Sequence, residues 1–351
     1  MKEDMIKGDT LKEDTMKTNH VVTIKDVSEH AGVAISTVSR VLNGLDRVSD
    51  ETRIKVEKAV EELGYVKNSL AASMKTGKSR IIVVVVPDMV NEYYTAVVRG
   101  VEEIASQADY YTMLFSSRDS HRREEKLFSG ELGRAIDGAI IIPAYDELDY
   151  YRSISKPVVI IDRYVSGSDM HAVVIDNHKA SYLLTEELIL AGHKNIAVIS
   201  GAQEFNIGMD RVQGYRDALK SYGIEVRPEN EMTGNWYQEH GYRSTLELLE
   251  REDRPSAIFA ANNLLCIGCI KAIREKGITI GKDISLVGFD DSEVAQLLEP
   301  DITVVRQETA TMGKIGMMKL LDIINKNEKP VYPKKVVLDV ELIRRHSVGK
   351  I

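Results

Sequence analysis

The sequence predicts two folds in series: an all-α head built on a helix-turn-helix, and an α/β body of two doubly wound lobes. Three observations carry this. Residues 22–43 place apolar side chains at helical spacing on either side of Gly32, so two short helices meet at a tight turn. From Ile81 onward, short wholly apolar runs alternate with helical segments, the pattern of a parallel sheet covered on both faces. That alternation then continues as a second, similar series, which predicts a second lobe.

Composition agrees with this division. The 351 residues are 43% hydrophobic and 28% charged, enough for two or three domains with sizeable cores. Residues 1–80 carry a formal charge of +1 and the remainder −9, so only the front end tolerates a polyanion. Residues 1–21 hold a loose Lys-Glu-Asp repeat with no apolar run and no cleavage site, which reads as a disordered tail and not as a signal peptide. No run of eighteen apolar residues occurs, so no membrane span is expected. Two cysteines give no disulfide framework, and a reducing cytoplasm is the expected compartment. Cys266 and Cys269 form a C-x-x-C inside an apolar helical run without a second ligand pair, so buried packing is expected there, with no metal and no cofactor.

In the head, Thr23 with Asp26 three residues on forms a capping box for the first helix, and Val27 and Ala31 face inward. The second helix begins near Ala34. Val38, Val41 and Leu42 pack inward, leaving Ile35, Ser36, Ser39 and Arg40 outward near its N-terminus, where a DNA major groove could receive them. An ordinary helical hairpin is the competing reading, but an outward Ile35 beside Arg40 is hard to explain as plain surface. Ser49 caps a third helix whose inner face is Ile54, Val56, Ala59, Val60 and Leu63, and Gly64 ends it.

The stretch VTIKDVSEHAGVAISTVSRVLN resembles the N-terminus of the lactose-repressor (LacI/GalR) family of bacterial transcription regulators. The match continues through Val48-Ser49, Thr52-Arg53 and Leu63-Gly64-Tyr65 to Asn68 and Ala71, and the α/β pattern extends it to about Ser347. The resemblance implies a DNA-binding head over 22–66, a hinge helix and linker over 67–80, and a periplasmic-binding-protein-like effector and dimerisation domain over 81–351. Departures are Ala34, Lys67 and Met74, where the family has Ser, Pro and Leu. The implied contacts to double-stranded operator DNA are Ile35, Ser36 and Arg40 on base edges, Thr37 and Ser39 on phosphates, and Thr23, Asn43 and Asn68 beside them. Ala71 is the close-approach residue of the hinge, and Met74 the minor-groove wedge.

Apolar runs near 81–86, 111–115, 139–142 and 157–161 are expected to build the first lobe, and runs near 172–175, 195–199, 257–261 and 284–288 the second. The chain is expected to re-cross, so that lobe one takes 81–162 plus 291–325 and lobe two 163–290 plus 326–346. Ligands in such folds sit at the carboxyl ends of the strands. Asp88, Asn91, Asp162, Asn262, Asn263 and Asp290 follow apolar runs at those places, and carboxylates, amides and an Arg fork together suit a polyol. The resemblance assigns effector contacts to Arg211, Asn262 and Asp290, with Trp236 as an aromatic plane and Tyr93 and Gln307 nearby; Asp88 is an effector candidate from its place at the first strand end. Helix capping or lobe-to-lobe hydrogen bonding is the alternative for Asp290 and Asp162, capping for Asn263, and core packing for Trp236; Asp162 and Asp176 are assigned structural roles. Phe205 and Ile207 stand where purine-binding relatives carry Arg and Thr, which favours a sugar, sugar phosphate or sugar acid over a nucleobase.

No nucleotide-binding, zinc-protease or hydrolase signature is present, and His193 lies at a helix-to-strand turn where a structural role is expected. The sequence therefore reads as a homodimeric repressor under effector control and not as an enzyme. A sugar-binding protein without DNA function is the rival, as are activators and members of the family that use a phosphocarrier co-repressor.

Overall fold

A computed structural model of the chain describes residues 22–42, 44, 48–65, 79–327 and 330–351. The chain divides into a small N-terminal unit and a large C-terminal one, each described by itself. Among the described residues no helix is long and apolar enough to cross a membrane.

The head has three helices, α1 (Ile24–Ala31), α2 (Ile35–Leu42) and α3 (Asp50–Leu63). Thr23 and Asp26 form the expected capping box, and Gly32 at φ 65° ends α1 in the left-handed conformation, which glycine adopts without a Cβ penalty. Ser28 donates its hydroxyl to the carbonyl of Val33 at 2.6 Å, fixing the turn. Val27, Val38, Val41, Val56 and Ala59 are the buried centre. Ile54, expected on the inner face, is 64% exposed. It lies two residues before Val56 and five before Ala59, so 100° per residue carries it round to the solvent side.

The body contains two six-stranded sheets. The first has the order β11-β5-β4-β3-β1-β2, from β1 (Ile81–Val86), β2 (Tyr111–Ser116), β3 (Gly138–Ile141), β4 (Val158–Ile161), β5 (His171–Ile175) and β11 (Lys335–Leu338), all parallel. The second has the order β12-β10-β9-β8-β6-β7. It is built from β6 (Ile196–Ser200), β7 (Glu231–Thr233), β8 (Ala257–Ala260), β9 (Ser285–Phe289) and β10 (Thr303–Gln307), with β12 (Val340–Ile343) antiparallel at its edge. The two sheets therefore share one strand order and differ in the direction of the last edge strand. Helix α4 (Glu92–Gln107) follows β1, α5 (His121–Ser129) and α6 (Glu131–Ala135) follow β2, and α7 (Leu148–Ser153) follows β3. In the second lobe α9 (Asn206–Ser221) follows β6, α10 (Gln238–Leu249) follows β7, α11 (Asn263–Glu275) follows β8, and α12 (Glu293–Leu297) follows β9.

The division between lobes differs from expectation at three places. The run 171–175, expected to open lobe two, pairs with β4 in the first sheet. The run 303–307, expected in lobe one, pairs with β9 in the second. The stretch after 326 is split at Asp339, β11 joining the first sheet and β12 the second. The helices cross as well: α8 (Asn177–Leu190) leaves the first sheet to pack on α9, and α13 (Thr309–Ile324) leaves the second to pack on α4. Strands buried on both faces are apolar whichever sheet they join, so periodicity alone assigns them to neither.

The head has so small a core that one deletion should be felt throughout it. Val38→Ala is expected to destabilise the head by about 2 kcal/mol, and Ile54→Ala by less than about 0.5 kcal/mol. Amide hydrogen exchange of the head in the full chain measures both; equal costs would contradict the packing described.

Candidate functional site

Two surfaces hold the candidate residues. In the head, α2 turns Val38 and Val41 into the core, which leaves Ser36, Arg40 and Ile35, the last 47% exposed, on the outer face. Thr37 and Ser39 are half-buried at its flanks. Thr23 is exposed, but its hydroxyl is engaged with Asp26 at 2.7 Å. His30 reaches Glu62 at 2.8 Å and ties α1 to α3 behind the presented helix. Asn43, Asn68, Ala71 and Met74 lie outside the described residues.

In the body, the carboxyl ends of the two sheets face each other across a cleft. Asp162 follows β4 and Asp290 follows β9, at equivalent positions of the two sheets. Both adopt positive φ, 68° and 71°, and each N–H is held by the next strand, Asp162 by the carbonyl of Val173 and Asp290 by that of Val305. Such a conformation costs a non-glycine residue on the order of 1 kcal/mol and clusters at functional sites. The turn aims both carboxylates into the cleft.

A polar chain joins them. Tyr93 donates its hydroxyl to Asp162 at 2.7 Å, with Gln307 a second acceptor at 3.4 Å, and Gln307 donates its amide to Asp290 at 2.6 Å. Tyr93 belongs to lobe one and Gln307 to lobe two, so the chain crosses the cleft. A second crossing is the reciprocal amide pair Asn91 and Asn263, at 2.9 and 3.3 Å. Arg211 is buried in the floor: Nε donates to Asn177 at 2.9 Å, Nη1 to the carbonyl of Ala261, and its face lies 3.6 Å from the Phe289 ring centre. Trp236 lies against Gly201, where an added Cβ would sit 2.0 Å from the indole, so only glycine fits. The indole N–H is buried without a partner, a donor left over at the cavity wall.

These groups surround a cavity of about 30 Å³, room for little more than one water. Tyr93, Arg211, Trp236, Asn262, Asp290 and Gln307, all expected from the sequence, line it together. Asp88 does not: it accepts from the N–H of Val90 at 2.9 Å and shapes its own loop, while Asn91 reaches the cleft in its place. Asn262 also caps α11, its Oδ1 accepting from Leu265 at 2.7 Å and its amide holding the Trp236 carbonyl at 3.1 Å. Capping, expected as an alternative for Asn263, thus falls one residue earlier. Asp162, assigned a structural role from the sequence, lines the cavity, as do Tyr94 and Arg163. The readable signal was the internal repeat, an Asp directly after an apolar run in both series. Asp176 does cap α8, accepting from Lys179 at 2.8 Å.

Other candidates have structural places. Burial pushes the Cys269 thiol up to about 12 and the Cys266 thiol well above its ordinary value, so neither is a thiolate at neutral pH. His193 is bonded to the Ser256 hydroxyl at 2.8 Å and to the Gly349 carbonyl at 3.0 Å. Among the described residues no group of three or more His, Cys, Asp or Glu side chains could hold a metal ion.

Burial raises Asp290 to about 6, against the pull of Arg211 and with a further push from Asp162, which is itself raised. Folding therefore takes up a proton here. The stability this group contributes is complete below the unfolded value of about 3.9 and is lost as pH rises through about 6. Asp290→Asn, which cannot titrate, should gain melting temperature relative to the parent as pH rises from 4 to 7. Calorimetry across that range checks it, and a constant difference would remove Asp290 as the titrating group.

Residues 23–68 match the model of bacterial regulatory proteins of the lacI family, and residues 185–348 that of a periplasmic binding protein-like domain. The chain is 34% identical over 331 residues to the HTH-type transcriptional regulator RegA of Clostridium saccharobutylicum, covering 93% of this chain and 98% of that protein. It is similar to the transcriptional regulator CelR in complex with cellobiose, at 31% identity and TM-score 0.70, over 93% of this chain and 99% of that one. It is also similar to the lac repressor dimer bound to operator and the anti-inducer ONPF, at 26% identity and TM-score 0.83, with the same shares covered. Such relatives are transcription regulators and not enzymes. The chain thus belongs to the lacI family of bacterial regulatory proteins, a transcription regulator with a helix-turn-helix DNA-binding head and a periplasmic-binding-protein-like body.

Proposed function

We propose that this regulator is a repressor that binds a pseudo-palindromic operator as a homodimer, and that a small carbohydrate-type effector closed between the lobes sets its affinity. The observation that carries this is the polar network across a cavity of about 30 Å³. A sugar is several times larger, so it enters only if the lobes part or the lining shifts, and occupancy is thereby tied to lobe geometry. Its hydroxyls would meet the carboxylates of Asp162 and Asp290, the amides of Asn263 and Gln307, and the spare indole N–H of Trp236. The solved relative with cellobiose supports a carbohydrate, and the operator-bound lac repressor dimer supports a two-fold DNA site.

In the head, Ile35, Ser36 and Arg40 read base edges, while Thr37 and Ser39 take phosphates, Thr23, Asn43 and Asn68 flank them, and Ala71 and Met74 act at the central step. Lobe movement then alters the spacing of the two heads, a coupling of typically 1 to 3 kcal/mol.

Arg40→Ala should lower affinity for the selected operator by about 1 to 3 kcal/mol while leaving binding to random duplex nearly unchanged. Fluorescence anisotropy on both duplexes measures this, and equal losses on the two would make Arg40 a phosphate contact. Asp290→Ala should keep operator affinity and lose the response to effector. Loss of operator binding in a folded Asp290→Ala protein would sink the cleft assignment.

A further inference from the structure

We propose that Glu124 is a proton-operated switch in lobe one: protonated, it leaves the Arg163 guanidinium to Asp119; ionised, it competes for Arg163 and loosens the clasp by which that pair holds lobe two. The switch does not depend on which ligand the cleft takes. Glu124 projects from α5 and is wholly buried. Its Oε2 accepts from the N–H of Ala144 at 3.2 Å, and its Oε1 has no partner. Five of the eleven buried side-chain polar atoms without a hydrogen bond among the described residues belong to this cluster: Glu124 Oε1, the hydroxyls of Tyr145, Tyr150 and Tyr151, and Arg163 Nε. The three rings pack on one another at 4.9 to 5.5 Å between centres. A carboxylate so placed has lost its water and gained one hydrogen bond, so burial favours the acid. Glu124 is accordingly raised to about 7, and burial raises the three phenols as well, so they keep their protons while Glu124 titrates.

The charged groups around Glu124 decide what its ionisation does. Arg163, directly after β4, favours the carboxylate, and Asp119, in the turn before α5, opposes it. Glu125 on α5 and Glu147 before α7 act on the phenols, and the exposed His121 stacks on the Tyr145 ring at 3.8 Å. Arg163 is therefore the cation that an ionised Glu124 meets, and its Nε is a buried donor still without a partner. Two carboxylates would then share one guanidinium and repel each other. Asp119 is the one that yields, because its side chain is 27% exposed and stands on a left-handed turn, with Arg118 at φ 52° and Asp119 at φ 50°.

Asp119 and Arg163 are also where lobe one grips lobe two. Arg163 donates Nη1 to Asp119 at 2.5 Å and to the Pro143 carbonyl at 3.0 Å, and its guanidinium lies 4.7 Å from the ring centre of Phe205 in lobe two. Asp119 accepts from the hydroxyl of Tyr237, also in lobe two, at 3.4 Å. Displacing Asp119 gives up the Tyr237 contact and unpairs the arginine that faces Phe205. Folding takes up a proton at Glu124, so the stability it contributes is complete below its ordinary value of 4.5 and is lost as pH rises through about 7.

The full-length protein reports on this through its single tryptophan, since Trp236 lines the same cavity as Arg163 from the lobe-two side. Its emission, titrated from pH 5.5 to 8.5, should move to the red with a midpoint of about 7 as water reaches the indole. Glu124→Gln, which cannot ionise, should hold the low-pH emission throughout. Asp119→Asn should show the high-pH emission throughout, while the infrared band of the protonated Glu124 carboxyl still disappears with rising pH. In the parent that band and the emission should change at one midpoint; separate midpoints would overturn the switch whether or not the variants fold. A shift that persists in Glu124→Gln and vanishes in His121→Asn or Asp290→Asn would belong to those groups and overturn it too. So would a parent with no shift, or an Asp119→Asn protein that titrates as the parent does, which would leave Glu124 a buried acid with no route to lobe two.

Discussion

The chain passes from one sheet to the other three times, between β5 and α8, between β10 and α13, and between β11 and β12. This constraint governs the rest of the body. Neither lobe can be cut out as a continuous piece, because α8 completes the second lobe and α13 the first. The two lobes are therefore tied covalently at three places. The crossings also supply cleft residues: Asn177, just past the first, holds Arg211, and Gln307, just before the second, bonds Asp290. The bonds that span the lobes are those of Tyr93 with Gln307 and of Asn91 with Asn263, so a rotation about the crossings would change them directly, which is the condition for a ligand to bias one lobe arrangement over another.

Within that frame the cleft is held by groups that would be costly if left alone. Two buried carboxylates from opposite lobes approach one another, and both are raised by burial. Tyr93 satisfies Asp162 and Gln307 satisfies Asp290, each within its own lobe, while the contact between Tyr93 and Gln307 and the Asn91–Asn263 pair join the two lobes. The left-handed turns at Asp162 and Asp290 show where local backbone preference yields to the site. Trp236 requires a glycine beneath it and an asparagine holding its carbonyl, so the aromatic wall is fixed before any ligand arrives.

The head solves a different problem. With five residues at its buried centre, it depends on terminal devices: the Thr23 and Asp26 box, the Gly32 turn, the Ser49 cap accepting from Thr52, and Gly64 at φ 60°. Each fixes a helix end at low residue count. They set the rotation of α2 and so decide that Ile35, Ser36 and Arg40, and not Val38, face outward.

Those devices act within three or four residues of one another, and for that reason the three helices of the head and their caps were legible, as were the positions of most strands and the six residues that line one cavity together. Ile54 was misplaced because its apolar character says nothing of the helix phase that neighbouring packing imposes. Asp88 was misplaced because a loop, and not a strand end, decides which of Asp88 and Asn91 reaches inward. The short strand β7 carries too little apolar sequence to announce itself. The sequence by itself determined most helices and most strands of the two sheets, and that strand ends carry the cleft residues, since these follow from local propensity and burial period. Only the tertiary structure decided which sheet residues 171–175, 303–307 and 335–338 join, and with it that Asp162 faces Asp290. The runs 171–175 and 303–307 are buried strands that look the same in either sheet, and the pairing of 335–338 with 172–175, like the approach of Asp162 to Asp290, joins residues more than a hundred positions apart.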